Sequence, residues 1–93
     1  MSVARITTLI FKTEEAANKS IEDYSTNAPN EFPEAEQLMQ IKVDNKTVIA
    51  VSLYSDNDSM ERASAARNKR MGSNQDQFES VDTKTGEVTL NHS

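Results

Sequence analysis

The residues TVIAVSLY at Thr47–Tyr54 form the longest nearly unbroken apolar run in the chain, and four of them, Thr47, Val48, Ile49 and Val51, carry a branched β-carbon. Turn-forming residues bound the run on both sides. The pattern predicts a strand buried on both faces, because a strand with one wet face would alternate apolar and polar residues. The remaining elements must supply the cover.

They have little with which to do so. A chain of 93 residues allows one domain, expected over residues 1–93, and buries only roughly 60–65% of the surface its unfolded form exposes. Apolar residues make up 35%, and adding the two glycines leaves the chain short of the about 45–50% usual for globular domains counted that way. Either the core is thin or a second copy of the chain completes it. With 27% charged residues, a net charge of −5 and clear periodicity, the chain does not read as disordered. A pI near 4.8 argues against general affinity for nucleic acid or anionic membrane, since both reward positive charge. No cysteine is present, which removes disulfides and thiolate metal sites. The opening residues enter a strand pattern directly, with no basic segment leading into an apolar one, and no run approaches the roughly 20 residues of a membrane helix. The expectation is a cytoplasmic protein.

Residues 3–12 predict a first strand, with Ala4, Ile6, Thr8 and Ile10 on one face and Arg5, Thr7, Leu9 and Phe11 on the other. Residues 13–24 predict a helix: Thr13 caps it, Glu14 and Glu15 lie at the positive end of its dipole, and Ala17, Ile21 and Tyr24 form one narrow apolar stripe. Residues 25–37, with Pro29 and Pro33, are the least regular stretch. Pro33 could open a single helical turn, and Phe32 is expected to tuck onto the core. Residues 38–43 predict a second strand. Asp44, Asn45 and Lys46 form a tight turn that makes Thr47–Tyr54 the second arm of an antiparallel hairpin. A second helix follows, with Asp58 and Glu61 at capping-box spacing, a buried stripe of Met60, Ala63 and Ala66 or Arg67, and Gly72 as its terminator. Two short strands, 78–82 and 87–90, then flank a turn with Gly86 in a left-handed conformation; the last could pair outside its own protomer.

The order is β-α-β-β-α-β with a further C-terminal strand. Right-handed crossovers predict the first and third strands as parallel neighbours in the middle of a four-stranded antiparallel sheet, both helices on one face and the other face bare. In the third strand Ile49, Val51 and Leu53, the heavier set, are expected to meet the helices, leaving Val48, Ala50, Ser52 and Tyr54 on the bare face. An apolar bare face is a docking surface, and its simplest occupant is an identical protomer.

The strand Thr47–Tyr54 followed by SDNDSMERA from Ser55, an acidic or serine cap opening a helix, resembles the dimeric α/β-barrel superfamily and, within it, the antibiotic-biosynthesis-monooxygenase-like branch. The resemblance covers the whole chain as a pattern and rests on no diagnostic motif. It implies an α+β, ferredoxin-like protomer that packs sheet to sheet into a homodimeric barrel. Members of that group include cofactor-independent oxygenases, a haem-degrading type, decarboxylating or isomerising enzymes and many proteins with no assigned activity. Catalytic members tend to use Trp, His or Asn in the cleft between sheet and helices, whereas this chain has no Trp and a single His, His92.

Tyr54 and Ser52 are the candidate pocket residues: on the expected face they share a surface, and a phenol can donate a proton or bind an oxyanion. The plainer reading puts Tyr54 at the rim of a dimer interface. His92 reads as a tail residue rather than a base. Arg62, Arg67, Lys69 and Arg70 could gather an anion. Yet residues 13–36 hold seven acids against one lysine, while residues 60–71 hold those four cations against one acid, so charge complementarity between adjacent helices is the plainer account. Asp56, Asp58 and Glu61 lack the glycine and alternating oxygens of a calcium loop, and capping explains them better. RNA-binding domains use the same element order but need exposed aromatics and a basic surface; Phe11 and Tyr54 alone do not supply them. No metal or cofactor is expected. The expected function is that of a small homodimer binding a small apolar or aromatic molecule between sheet and helices, with a cofactor-independent monooxygenase-like enzyme as the alternative.

Overall fold

The computed structural model describes residues 2–91. Strand β1 (Val3–Phe11) lies inside a four-stranded sheet, between β3 (Thr47–Tyr54) and β4 (Phe78–Glu87), and β2 (Gln37–Lys42) forms the edge beyond β3. Helix α1 (Glu14–Glu31) joins β1 to β2, and α2 (Asn57–Ser73) joins β3 to β4. All three pairings are antiparallel, β1 with β3 included, which corrects the expectation of parallel central strands. The reason is topological. Helix α1 carries the chain back so that β1 and β2 run the same way, and the tight turn after β2 reverses β3, which then inserts between them.

That turn is built from Asp44, whose Oδ1 accepts from the backbone N–H of Lys46 at 3.0 Å and of Thr47 at 2.8 Å. The side chain does the turning. No residue here takes a positive φ, so the left-handed conformation that Asp and Asn tolerate is not used.

Helix α1 begins as expected, with Thr13 Oγ1 accepting from Ala16 N–H at 3.0 Å, but runs seven residues past Tyr24, through Pro29. Proline is tolerated because it sits in the last turn, where one lost backbone bond is cheap and packing decides. Ala28 continues the stripe of Ala17, Ile21 and Tyr24, and it and Phe32 are buried against Tyr54, Met60 and Ala63. Pro33 forms part of a turn after the helix rather than a new one. Helix α2 starts two residues earlier than the Asp58 cap predicted. Asp56 is the cap, its Oδ1 accepting from Ser59 N–H at 2.8 Å. Gly72 lies inside the last turn, and Asn74 ends the helix.

Strand β4 is one continuous strand of 10 residues, not two pieces around a turn. Gly86 pairs directly with Ala4 and has no positive φ. The branched side chains of Val81, Thr83 and Thr85 favour extension along the whole of β1. The ladder carries on past the strand, with Val88 N–H donating to Ser2 C=O at 2.9 Å.

Both helices cover one face of the sheet, and the face assignment is the reverse of the one expected. Val48 and Tyr54 of β3 lie under the helices with Phe11 of β1, while Ile49, Val51 and Leu53 share the open face with Ile6, Met39 and Ile41. The helices offer slim alanine-rich stripes that fit over one tyrosine, one valine and small residues. The flat rows of Ile, Val and Met suit a broader partner.

The core falls into two clusters. Ala28, Phe32, Tyr54, Met60 and Ala63 form one; Phe11, Ala17 and Val48, packed by Leu9, Ile21 and Phe78, form the other. The rings of Phe11 and Phe78 meet edge to face with centroids 5.1 Å apart. Because Phe11 is fully buried, Phe11→Ala is expected to cost about 3–5 kcal/mol of unfolding free energy in a denaturant melt, a large part of the total for so small a core; a loss below about 1 kcal/mol would show that this cluster is not part of the core.

Candidate functional site

Between the two clusters the sheet presents polar residues. Cross-strand pairing places Arg5 beside Ser52 and Thr85, Thr7 beside Ala50 and Thr83, and Leu9 beside Val48 and Val81. Since directly paired residues share a face, the surface under the helices grades along the strands from charged, through small and polar, to apolar. Over these rows lies a cavity of about 60 Å³. Arg5, Thr7, Ser52 and Ala50 form part of its floor, Leu9, Val48 and Phe78 one end, and Tyr24, Phe32, Arg67 and Met71 reach it from above.

Three arginines line this cavity, in two different electrostatic states. Arg70 is a structural clamp: its guanidinium bonds Glu31, and Asp23 at 2.7 Å, tying α2 to α1. It also lies over the Tyr24 ring, 5.3 Å from the centroid. Burial works against its charge, but the bonds from Glu31 and Asp23 outweigh this and raise its pKa; the same contact lowers that of Asp23. Farther out, Arg62 grips Glu34 through Nε and Nη2 at 2.7–2.9 Å. The predicted charge complementarity between the helices and their flanks is therefore realised at Arg62 and Arg70.

Arg5 and Arg67 are different. Arg5 is only 8% exposed, and its Nη2 donates to Ser64 Oγ at 3.2 Å and to Met60 C=O at 3.4 Å. Arg67 Nη2 donates to Thr83 Oγ1 at 2.6 Å and Thr7 Oγ1 at 3.3 Å. Among the described residues neither has a carboxylate partner. Burial, and then the positive charge of Arg5, push the Arg67 pKa down, as expected for a half-buried cation near a second one.

Of the two candidate pocket residues, Ser52 lines the cavity. Tyr54 does not. It is fully buried in the first core cluster, and its hydroxyl is without a hydrogen-bond partner, though within electrostatic reach of Tyr24 and Arg67. Both lie under the helices rather than on the bare face. Burial raises the Tyr24 pKa, and the adjacent Ser52 hydroxyl opposes this in part. His92 lies outside the described residues. Asp56, Asp58 and Glu61 do not converge: among the described residues no three metal-ligating side chains gather. Arg5 was hidden in the sequence among strand residues read as substantially apolar. Its signal was the alternation, which puts it on the same face as the fully buried Phe11.

No protein-family model matches the sequence, and no curated protein matches it. Solved structures do match the fold. A putative antibiotic biosynthesis monooxygenase from Chloroflexus aurantiacus J-10-fl superposes with a TM-score of 0.77 at 5% identity, over 100% of this chain and 98% of that one. A dimeric ferredoxin-like protein from an uncultured marine organism gives 0.78 at 10% identity, over 98% and 90%. SnoaB, a cofactor-independent oxygenase from Streptomyces nogalater, gives 0.71 at 11% identity, over 97% and 95%. The fold is ferredoxin-like. The superpositions establish that architecture, and identities this low leave the site to be argued from its own residues.

A buried hydroxyl with no partner costs folding energy without returning any. Tyr54→Phe is therefore expected to leave the melting temperature unchanged or raise it; a loss of more than about 1 kcal/mol would mean that the hydroxyl is bonded in solution.

Proposed function

We propose that the protein is a homodimer that binds a small organic molecule in the cavity between its sheet and helices. The observation that carries the binding part is the cavity itself, with apolar walls at Leu9, Val48, Phe32 and Phe78 and polar groups converging from Arg5, Ser52 and Arg67. A mostly apolar cleft with a few placed polar groups is the usual form of a small-molecule site.

Support for the dimer comes from the opposite face. Ile6, Met39 and Ile41 are 44%, 43% and 44% exposed, and with Ile49, Val51 and Leu53 they make a continuous apolar surface over three strands. At the β4 edge this surface turns polar with the Asp82–Lys84 pair, 2.7 Å apart, the apolar centre and polar rim of a protein interface. A second copy is the occupant that closes the assembly by symmetry, and one protein of the same fold is described as dimeric.

A second reading, an oxygenase that uses no cofactor, is favoured by the fold shared with SnoaB. It needs Tyr54 as its polar handle, and the cavity is smaller than the few hundred Å³ of ordinary substrate pockets. The helices would have to open toward Tyr54 to make that room.

Static light scattering over a dilution series tests the assembly. A mass near twice 10.4 kDa is expected, and Ile6→Glu, which places a charge at the centre of the apolar face, is expected to halve it. A wild-type monomer at all concentrations would overturn the homodimer.

A further inference from the structure

The three arginines at the cavity make an internal comparison. Arg70 has two carboxylate partners. Arg5 and Arg67, as buried or half-buried, have only neutral ones, and each uses only its Nη2. Among the described residues their Nε and Nη1 groups have no protein partner. These free nitrogens are not sealed from solvent, yet holding two like charges close together where water is scarce is costly unless something of opposite charge is shared between them. The chain is acidic overall, with 15 carboxylates against 10 cations, yet none is placed here. The surrounding hydroxyls of Thr7, Thr83 and Ser64 hold the two guanidinium groups in place without neutralising them.

We propose that the cavity takes a small organic carboxylate, its head held between the guanidinium groups of Arg5 and Arg67 and its apolar body lying along Leu9, Val48 and Phe78. The proposal rests on the binding reading above and adds the ligand's class. A carboxylate matches the planar fork of an arginine and can bridge two of them. The row order of the sheet sets the direction of the ligand: the charged row, Arg5 with Ser52, lies at one end and the apolar row, Leu9 with Val48, at the other, with Arg67 reaching the middle row through Thr7 and Thr83. The volume of about 60 Å³ holds about four to six water-sized groups, so the body is a short chain rather than a fused ring system. The Tyr24 hydroxyl, whose ionisation burial opposes, remains a neutral donor beside the head.

The test uses butyrate and its neutral isostere butyramide as probes of the full chain, followed by amide chemical-shift titration. Butyrate is expected to bind about tenfold or more tightly than butyramide, with the shifts centred on residues 5, 7, 52 and 83 and an affinity that falls as sodium chloride is raised. Arg67→Gln is expected to remove the preference for the charged probe and Arg67→Lys to restore most of it. If Arg67→Gln does not fold, the salt dependence of the wild-type protein decides alone. Equal binding of both probes would overturn the carboxylate assignment and leave the binding cavity standing. Binding of neither would overturn both.

Discussion

The placement of Arg5 and Thr7 on the covered face of β1 is the constraint from which the rest of the structure follows. A small two-layer fold normally fills the space between helices and sheet with one apolar core. Here the middle rows carry a guanidinium and hydroxyls, Ala50 and Ser52 beside them are small, and Arg67 descends from α2 onto the same rows. The apolar residues are left to collect at the two ends, Tyr54 with Phe32 and Met60 at one and Phe11 with Val48 and Phe78 at the other. A cavity separates the two clusters because nothing large and apolar occupies that middle.

The consequence for stability is direct. Helix α1 depends on packing more than on propensity, since it contains Pro29, three asparagines after its first turn and no basic residue in its last turn. The Arg70 clamp to Asp23 and Glu31 supplies a cross-tie between the helices. The outer face of the sheet holds the broad rows of Ile, Val and Met that the helices do not cover. Binding and self-association would thus use opposite faces of one sheet, so that a second copy could complete the missing apolar burial without closing the cavity.

Element order, the Asp44 turn, the Thr13 cap and the burial of Phe32 were legible in the residues because each is a local signal. The length of α1 was legible too, in the continuation of the stripe from Tyr24 to Ala28, but Pro29 masked it. What the sequence could not decide was the covered face of β3. Both of its faces are apolar, so a slip of one residue costs little in pattern, and the choice is made by where Arg5 and Phe11 fall in register with Ser52 and Lys46. Gly86 misled for a related reason: glycine signals a turn by composition, whereas here it sits in a strand opposite Ala4. The arginine pair was not legible at all, since Arg5 and Arg67 are 62 positions apart and come to the same cavity only through the packing of α2 over the sheet.

If the polar middle of the core exists for a ligand, it is maintained at a cost to folding, and replacing it with apolar side chains of similar volume should return that cost. The measurement that bears most directly on this is the melting temperature of the double variant Arg5→Met and Arg67→Met against the wild-type protein, at matched concentration and without ligand. Met60 C=O already accepts from Ser64 Oγ, so losing Arg5 leaves it partnered. A double variant that melts higher than the wild type is the predicted result. A double variant that melts several degrees lower would show that the two guanidinium groups hold the fold together, and would contradict the account.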